Sequence, residues 1–505
     1  MAGTGITLYS ITVILSYPEG SVPAALLIVA VPAILSAITF SLLGMIVPRT
    51  AGAYVWTSRF LDPFFGWFVG GWLEWVLCVF SIGLYGYVLE SIIPAIFTII
   101  GQAAGIPALV SFAASLESNT FVQGAVIVTV IVIFGLIALI EIKHYMKVLM
   151  VLWGLNVLGL IVSVVLFATN SPATVPAAWN NVWGAGSYQM ITSLAAKYNL
   201  DGYIANTSGG RFNDTLNIVV YLFWALTGFE VSSYVGGEVR NPRSSFLYWF
   251  TAGVIATALW YALVTWLAYN AYGGFILQYS YVYNLFQAGK LAANETAVVT
   301  PYMLLPSMPL FSASLAGSAA IRIIAAWWLW PITTLIVTFL GATRSMFGMA
   351  FDRMFPSVFG KVNERTHTPI PATIFTVIAA VIVALFMFTS YGYLVSAANT
   401  SFLEAFLYVA VAFTAIIIPY KRRDIWEKGT RRRIFGIPDL TFLGALAAIG
   451  TLWILTLTTI GISLLAWNVS IIWMIIGVFI FVYFAEKNEK RGINLTKIYG
   501  EIPPP

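Results

Sequence analysis

The sequence predicts an all-α integral membrane protein, and its composition and hydropathy pattern support this fold class. Of the 505 residues, 60% are hydrophobic and only 9% are charged, whereas about 25% of the residues in soluble domains are charged. Apolar stretches close to the roughly 20 residues that a helix needs to cross a bilayer recur along the chain. They are longer than the alternating strands of about 10 residues that form a membrane barrel.

The apolar stretches predict twelve membrane-spanning helices, of which the first is truncated. From Gly5 to Tyr17 there are only 13 residues, about 20 Å of helix at about 1.5 Å per residue, against a hydrocarbon core of roughly 30 Å. We expect that residues completing this helix are missing upstream of Met1. The eleven complete spans are predicted at 23–47, 64–93, 123–142, 147–168, 216–237, 247–271, 318–343, 370–389, 402–420, 441–466 and 470–485.

The distribution of Lys and Arg predicts the orientation. When the loops are placed alternately on two faces, 21 of the 25 basic residues fall on one face. Cytoplasmic loops are enriched in basic residues, so this face and the C-terminus are predicted to be cytoplasmic in a multi-pass protein of the cell membrane. The net charge of +5 therefore indicates no nucleic-acid partner. The run KGTRRRIFG, 428–436, is interpreted as a solvated loop, with a lipid-headgroup site as the alternative.

The sixth span carries a glycine and a carboxylate in its middle. The stretch YLFWALTGFEVSSYVGGEVRNPRSS, 221–245, places Thr227, Gly228 and Glu230 inside an apolar segment. In lipid every backbone N–H and C=O must be bonded, so an irregular stretch persists only where it is buried in protein or lines a cavity. A break at Gly228 would present backbone groups and a helix N-terminus to a substrate. The alternative is that Gly228 permits close helix packing while Glu230 pairs with a neighbour.

A second interruption at a corresponding place favours the break. The stretch GTGI, Gly3 to Ile6, opens the truncated first span much as TGFE, 227–230, interrupts the sixth. Paired interruptions in the two halves of a chain are typical of inverted repeats that hold a substrate between them.

Four stretches together resemble the amino acid-polyamine-organocation (APC) superfamily of transporters, of the amino acid permease type. GTGI resembles the break in the first helix of that family, and PRTAGAYVWTSRFLDPFFGW, which begins at Pro48, resembles the loop after its second helix. GFEVSSYVGGEVRNP is similar to the Gly-Phe-Glu and Glu-x-x-Asn-Pro pattern of its sixth helix. TRSMFGMAFDRMFPSVFGKVNERTHTPIPA, 343–372, is similar to the stretch between helices 8 and 9.

The resemblance implies a secondary active transporter that works by alternating access. It also implies a five-plus-five inverted repeat with discontinuous helices 1 and 6. Within a single membrane domain, 1–505, the implied units are a first repeat at 1–168, a second repeat at 214–420, two extra helices at 441–486 and a cytoplasmic tail at 487–505.

The resemblance further implies a substrate site between the two broken helices. Backbone groups at the breaks would hold the substrate, and Trp224 or Phe229 of helix 6 would form an aromatic lid over an aliphatic chain or a cation. Trp328 and Trp330 of helix 8 would be further wall residues. Trp328 and Trp330 have the alternative role of interfacial anchors. The candidate substrate-binding residues are Gly3, Thr4, Gly5, Ile6, Trp224, Thr227, Gly228, Phe229, Glu230 and Trp328.

The expected coupling ion is Na⁺ or H⁺, and no cofactor is expected. Many members of the family carry a lysine in helix 5 about where this sequence has Asn156, and an amide cannot donate a proton at physiological pH. Asn156 is therefore expected beside a sodium site or an empty one, with an interhelical hydrogen bond as the alternative. Thr333 and Thr334 are candidates to complete the oxygen ligation, unless they bond their own helix.

Four carboxylates at membrane depth are candidates for the ion or substrate pathway. Glu230 lies in the family motif and ranks first, as an orienting or proton-bearing group. Glu74 is expected to be buried and is a candidate for ion coupling. Glu90 and Glu404 are placed near outer ends, where they are expected to reach water. A carboxylate that faces the cavity favours a cationic substrate or carries the coupling proton, and both alternatives stay open.

Charged residues of the predicted cytoplasmic loops are candidates for a gate that closes the inner mouth. The alternative is ordinary loop charge. His144 and His367 have no partners at ligand spacing, so no metal site is predicted. The gate candidates are Arg49, Glu238, Arg240, Asp352 and Arg353.

Together these features predict a transporter of amino acids or related amines in a lipid bilayer. An enzyme is not predicted, because His, Cys, Ser and Asp residues do not converge on a catalytic set. A substrate-sensing receptor on the same fold and an exchanger without ion coupling are the alternatives.

Overall fold

The chain folds almost entirely into helices. The computed structural model describes residues 5–327, 330–388, 392–461 and 463–503. Within these residues ten helical segments are long and apolar enough to cross a bilayer, which confirms the all-α membrane fold, whereas the count of twelve stays a prediction. The ten segments are Val22–Ile46, Pro63–Ala104, Thr120–Ile137, Ile142–Thr169, Arg211–Tyr234, Pro242–Tyr272, Ala319–Phe351, Thr400–Lys421, Asp439–Ile460 and Leu464–Glu489.

Three further apolar helices are shorter. Gly5–Ser16 and Ile370–Phe386 coincide with the truncated first span and with the span predicted at 370–389. The helix Pro107–Leu116 was not predicted, because the helix before it was expected to end at residue 93. That helix runs to Ala104, where Gly105 at φ +66° ends it and Pro107 starts the next one. Glycine after a helix and proline at its first turn are the usual residues at such a junction.

The two long loops predicted at 169–214 and 272–316 fold into a helical cap on one end of the bundle. Trp183 Nε1 donates to Ser314 Oγ at 2.8 Å, and the Tyr281 hydroxyl donates to the carbonyl of Tyr198 at 2.6 Å. Such side chain contacts hold the two loops together. The helices of this cap are Val175–Trp183, Ser187–Lys197, Leu200–Thr207, Phe275–Gln287, Ala293–Val299 and Met308–Ala313.

The loops rich in arginine and lysine meet at the opposite end, which we call the basic end. Lys421 Nζ donates to the carbonyl of Leu61 at 3.3 Å, and Asn488 Nδ2 donates to the carbonyl of Arg353 at 3.0 Å. Loops that are far apart in sequence are thus neighbours here. The short elements of this end are the helices Gly52–Trp56, Arg423–Lys428 and Leu495–Gly500 and the antiparallel strands Arg433–Ile434 and Ile437–Pro438.

The first helix packs tightly against the segment Arg211–Tyr234. A Cβ atom on Gly5 would lie 2.4 Å from Cα of Ala225, so only glycine permits this approach of two backbones. The Tyr269 hydroxyl also donates to the carbonyl of Ser10 at 3.0 Å. Gly5 and Ser10 are therefore held against two other segments of the bundle.

Candidate functional site

The helical segment that contains Gly228 is interrupted halfway along its length. The α-helix Arg211–Phe223 tightens into a 3₁₀ turn at Trp224–Leu226. Helical geometry is lost at 227–229 and resumes at Val231–Tyr234. Gly228 has φ +89°, a left-handed conformation that glycine adopts without the steric cost of a Cβ atom. The discontinuity expected in this helix is therefore present.

Two carboxylates bind the backbone N–H that the break at Gly228 leaves free. This N–H donates to Glu230 Oε2 at 2.9 Å and to Glu404 Oε1 at 3.1 Å. Glu230 lies two residues further along the same segment, and Glu404 belongs to the helix Gly392–Lys421. The Thr227 hydroxyl bonds the carbonyl of Trp224 at 3.0 Å. Freed backbone groups at a helix N-terminus carry partial positive charge, which favours carboxylates.

The expectation that Glu404 reaches water is wrong. Its residue is 2% exposed. The predicted span began at residue 402, whereas the helix begins at Gly392, about 18 Å before Glu404 at about 1.5 Å per residue. The same prediction for Glu90 is also wrong, because Glu90 is 4% exposed and accepts the Ser91 hydroxyl at 3.0 Å.

Glu74 is buried, as predicted, and completes a group of three acids with Glu230 and Glu404, here called the carboxylate trio. The charges of Glu74 and Glu404 each interact with that of Glu230. Glu74 Oε1 accepts the Cys78 thiol at 3.5 Å, while its Oε2 and Oε2 of Glu404 are buried without a hydrogen bond partner. The ion pairs among the described residues involve none of the trio.

Tyr408 is a site residue that the sequence analysis missed. Its hydroxyl donates to Glu230 Oε2 at 2.5 Å. It lies four residues after Glu404 on one helix, and residues at this spacing share a helix face. The spacing from Glu404 is the signal that would have found it.

Trp224 lies at the break beside aromatic residues of two other helices. Its ring stacks on Tyr85, with centroids 5.4 Å apart and an interplanar angle of 13°, and lies 5.6 Å from the ring of Tyr9. Tyr85 also interacts electrostatically with Glu404 and Glu230. Trp224 therefore lies between the first helix and the segment Pro63–Ala104, and its role as a lid stays a prediction.

Phe229, the other lid candidate, packs as a core residue. It is buried, with its ring 5.6 Å from Phe40, 5.0 Å from Tyr408 and 5.7 Å from Phe250. These contacts fix the start of the second half of the interrupted helix. Of the two candidates, Trp224 is the one next to Tyr9 of the first helix.

Three substrate-binding candidates, Gly3, Thr4 and Trp328, lie outside the described residues. Gly5 and Ile6 are buried at the start of a π-helical turn, Gly5–Tyr9. The close approach of Gly5 to Ala225 places this turn beside the interrupted helix. The structure thus brings the start of the first helix and the break at Gly228 into one region.

Asn156 is fully buried within the helix Ile142–Thr169. Its Nδ2 donates to the carbonyl of Leu152 on the same helix at 2.9 Å, and its Oδ1 has no hydrogen bond partner. The interhelical hydrogen bond considered as one alternative is therefore not formed among the described residues. An amide oxygen that is buried without a donor is a ligand type that suits a hard cation.

Thr333 and Thr334 bond their own helix. Their hydroxyls donate to the carbonyl of Trp330 at 2.8 Å and 3.1 Å. Both line a cavity of about 590 Å³ with Trp153 and Trp260, and Trp153 is 59% exposed. This cavity opens on the side of the bundle, and the carboxylate trio is not among its lining residues.

Asp352, a gate candidate, is the centre of a buried network at the basic end. Its Oδ1 lies 2.7 Å from Arg59 Nη2, and its Oδ2 accepts the Tyr54 hydroxyl at 2.5 Å. Burial by itself lowers the pKa of Arg59, but the neighbouring Tyr54 and the hydrogen-bonded Asp352 raise it above its usual value. The Arg59 guanidinium therefore stays charged.

Glu238 pairs with Arg344, a residue that the sequence analysis did not select. Arg344 Nε lies 3.2 Å from Glu238 Oε1, and the Arg344 side chain is buried. Arg240, two residues after Glu238, is exposed. Arg353 has φ +60° and presents its carbonyl to Asn488. Of the five gate candidates, only Glu238 and Asp352 form ion pairs among the described residues.

The end of the chain, predicted only as a cytoplasmic tail, packs onto this network. The ring of Tyr499 lies 5.0 Å from the Arg59 guanidinium, and the ring of Tyr54 lies 5.4 Å from it. The carbonyl of Pro503 accepts Arg49 Nε at 2.6 Å. Two arginines of the basic end are thus held by the last described residues rather than by solvent.

A family model described as amino acid permease matches residues 1–481. Among curated proteins, the chain is 23% identical to the vacuolar cationic amino acid transporter 2 of Arabidopsis thaliana over 430 residues, which cover 84% of this chain and 58% of that protein. The chain therefore spans somewhat under two thirds of that relative's length.

Two other curated relatives are named for other substrates. A probable polyamine transporter of Arabidopsis thaliana is 23% identical over 91% of this chain and 76% of its own length. The branched-chain amino acid permease of Bacillus subtilis is 24% identical over 55% of this chain and 52% of its own length. The relatives thus carry names for both cationic and neutral substrates.

Proposed function

The chain belongs to the amino acid permease family, and we propose that it is a secondary active transporter that moves cationic amino acids or related amines by alternating access. The observation that carries the proposal is the carboxylate trio, three buried acids at a helix break with no ion pair among the described residues. The names of the relatives, cationic amino acid transporter and polyamine transporter, agree with it.

The charge of the trio requires compensation. A buried carboxylate costs several kcal/mol unless a cation or hydrogen bonds offset the loss of water. The trio accepts hydrogen bonds from the Gly228 N–H, the Tyr408 phenol and the Cys78 thiol, and two of its oxygens have no partner. A substrate ammonium group placed among these oxygens would supply charge and up to three N–H donors. A coupling Na⁺ or H⁺ would neutralise a second acid.

The other candidates take supporting roles. Trp224, with Tyr85 and Tyr9 around it, would cover the substrate, since a cation is attracted to an aromatic face. Glu230 would orient the ammonium group, and Glu74 would take the coupling ion, with Asn156 as a second oxygen donor. The backbone of Gly3, Thr4, Gly5 and Ile6 stays the predicted site for the substrate carboxylate.

At the basic end we place the inner gate. The pairs Asp352–Arg59 and Glu238–Arg344 would hold the mouth closed in the outward-open state and separate when the site opens inward. This assignment takes the basic end as cytoplasmic, as the predicted distribution of Lys and Arg suggests, in the cell membrane.

The test is uptake by the full-length protein in proteoliposomes. Radiolabelled lysine, putrescine and leucine are offered separately under imposed Na⁺, pH and voltage gradients. We expect saturable accumulation of lysine or putrescine driven by one of these gradients, with Na⁺ or voltage having the larger effect. Accumulation of leucine alone would overturn the cationic assignment. Binding without accumulation would identify a sensor, and uptake only into preloaded vesicles would identify an exchanger.

A further inference from the structure

A polar cavity of about 410 Å³ lies at the basic end, and none of the carboxylate trio lines it. Four basic side chains and one acid line it. They come from the loop after the helix Val22–Ile46, from the start of the segment Pro242–Tyr272, and from Arg422 and the short helix Arg423–Lys428, which follow the helix Gly392–Lys421. The charged lining residues are Arg49, Arg243, Arg422, Asp424 and Lys428, and we call this cavity the basic pocket.

The positive charge of the basic pocket is not balanced within it. Asp424 is occupied by Arg422, whose Nε and Nη2 donate to its two oxygens at 3.1 Å each. No ion pair among the described residues involves Arg49, Arg243 or Lys428. Arg49 donates only to carbonyls, those of Pro503 and Pro48, and burial lowers its pKa. Three cations thus share one cavity without a counter-ion.

The walls of the basic pocket are apolar on one side. Met45 and Ile46, the last residues of a membrane-spanning helix, form part of it, and Ile425 and Ile502 add to it. A second spanning helix ends at Lys421, so the pocket lies level with the ends of two spanning helices. A ligand with an anionic head and an apolar chain would meet charge and hydrocarbon at the same place.

We propose that the basic pocket binds a phosphate-bearing anion, supplied either by the headgroup of an anionic phospholipid or by a soluble phosphorylated metabolite. Guanidinium groups bind phosphate oxygens in pairs, and lysine adds a point charge. The ligand would also contact the tail, because Ile502 lines the pocket and Arg49 donates to the carbonyl of Pro503. The proposal does not depend on which substrate is transported.

The test is native mass spectrometry of the full-length protein in detergent. Dioctanoyl phosphatidylglycerol, dioctanoyl phosphatidylcholine and inorganic phosphate are titrated separately. The double variant Arg243→Gln with Lys428→Gln removes two exposed charges of the pocket. The matched control, Arg423→Gln with Lys490→Gln, removes two exposed charges at the same end, whose partners are Glu427 and Glu486.

We expect one phosphatidylglycerol to bind per chain, with at least tenfold weaker affinity in the pocket variant and unchanged affinity in the control. Binding of inorganic phosphate with the same dependence would identify the soluble source, and its absence would identify the headgroup. The single variant Arg243→Gln replaces the double one if the latter unfolds. Equal affinity in the pocket variant and the control, or no binding of either probe, would overturn the proposal.

Discussion

The acids in the middle of the bundle and the acid at the basic end are similarly buried but differently compensated. Glu74, Glu230 and Glu404 are at most 4% exposed and have no ion pair among the described residues, whereas Asp352 is 5% exposed and lies 2.7 Å from Arg59. A carboxylate with its own arginine is neutral as a pair. A carboxylate without one remains a site for a cation that comes and goes. In the proposed function, the paired acid therefore belongs to the inner gate and the unpaired acids belong to the binding site.

The largest effect is expected when the ion pair between Asp352 and Arg59 is broken. Asp352→Asn leaves the Arg59 guanidinium buried without its counter-charge, which costs about 3–5 kcal/mol of unfolding free energy. We expect a marked fall in the unfolding temperature in detergent. Asp424→Asn is the control, because Asp424 is 56% exposed and exposed pairs contribute about 0–1 kcal/mol. Equal falls in both variants would remove the distinction between the two kinds of acid.

The second largest effect is expected for a substitution in the carboxylate trio. Glu404→Gln keeps the shape of the side chain and removes its charge. Hydrogen bonds to charged groups contribute about 1.5–3 kcal/mol, so we expect KM for lysine or putrescine to rise by about 10- to 100-fold. The unfolding temperature of Glu404→Gln without substrate should not fall, because the substitution removes a buried charge that has no counter-charge and therefore costs free energy in the folded state.

Glu90→Gln is the matched control for that variant. Glu90 is a buried acid that bonds Ser91, and neither Gly228 nor Tyr408 contacts it through a hydrogen bond that the structure records. Its KM should match that of the unmodified protein. A similar rise in both variants would show that buried charge in general, rather than the carboxylate trio, sets the affinity.

A smaller effect is expected for the phenol of the site. Tyr408→Phe removes the hydroxyl that donates to Glu230, a change of about 1–2 kcal/mol and about 5- to 30-fold in KM. Tyr272→Phe is the control, since it also removes a buried hydroxyl bond, to the carbonyl of Phe311 near the cap. Uptake kinetics that change equally in both would place Tyr408 among the structural tyrosines.

The smallest effect concerns the tail. Tyr499→Leu removes the buried ring beside Arg59. Because Asp352 already compensates the Arg59 charge, we take the low end of the cation–π range, about 0.5–1 kcal/mol. We expect limited proteolysis after residue 490 to be about two- to fivefold faster. The control Tyr483→Leu removes an exposed ring near Lys487, and its rate of proteolysis should stay the same. An unchanged rate of proteolysis in Tyr499→Leu would mean that the Tyr499 ring does not hold the tail.

The sequence predicted those features of the candidate site that depend on residues close together in the chain. A glycine beside a carboxylate inside an apolar span, together with the matching interruption at GTGI, predicted the break at Gly228, and the depth of Glu74 in its span predicted its burial. Glu404 was misplaced because the polar residues before it, Asn399, Thr400 and Ser401, resemble the end of a span. The helix in fact continues through them.

Tertiary contacts account for what the sequence did not reveal. Asp352 and Arg59 are 293 residues apart, and one sequence carries no signal that pairs them. Tyr408 and Tyr85 are neutral residues in apolar helices, where nothing distinguishes a site phenol from a core phenol. The sequence predicts 487–505 only as a cytoplasmic tail, and its charges and prolines are typical of disordered ends. Tyr499 is nevertheless buried by residues that lie elsewhere in the chain.

The contact between the tail and the basic end also governs how the protein can be labelled. A fluorescent protein or an affinity tag fused close after Pro503 would be tethered beside Arg49, and its bulk would compete with Tyr499 for its place beside Arg59. The exposed turn at 184–186 in the cap lies at the opposite end. Reporters inserted there would leave the arginines undisturbed.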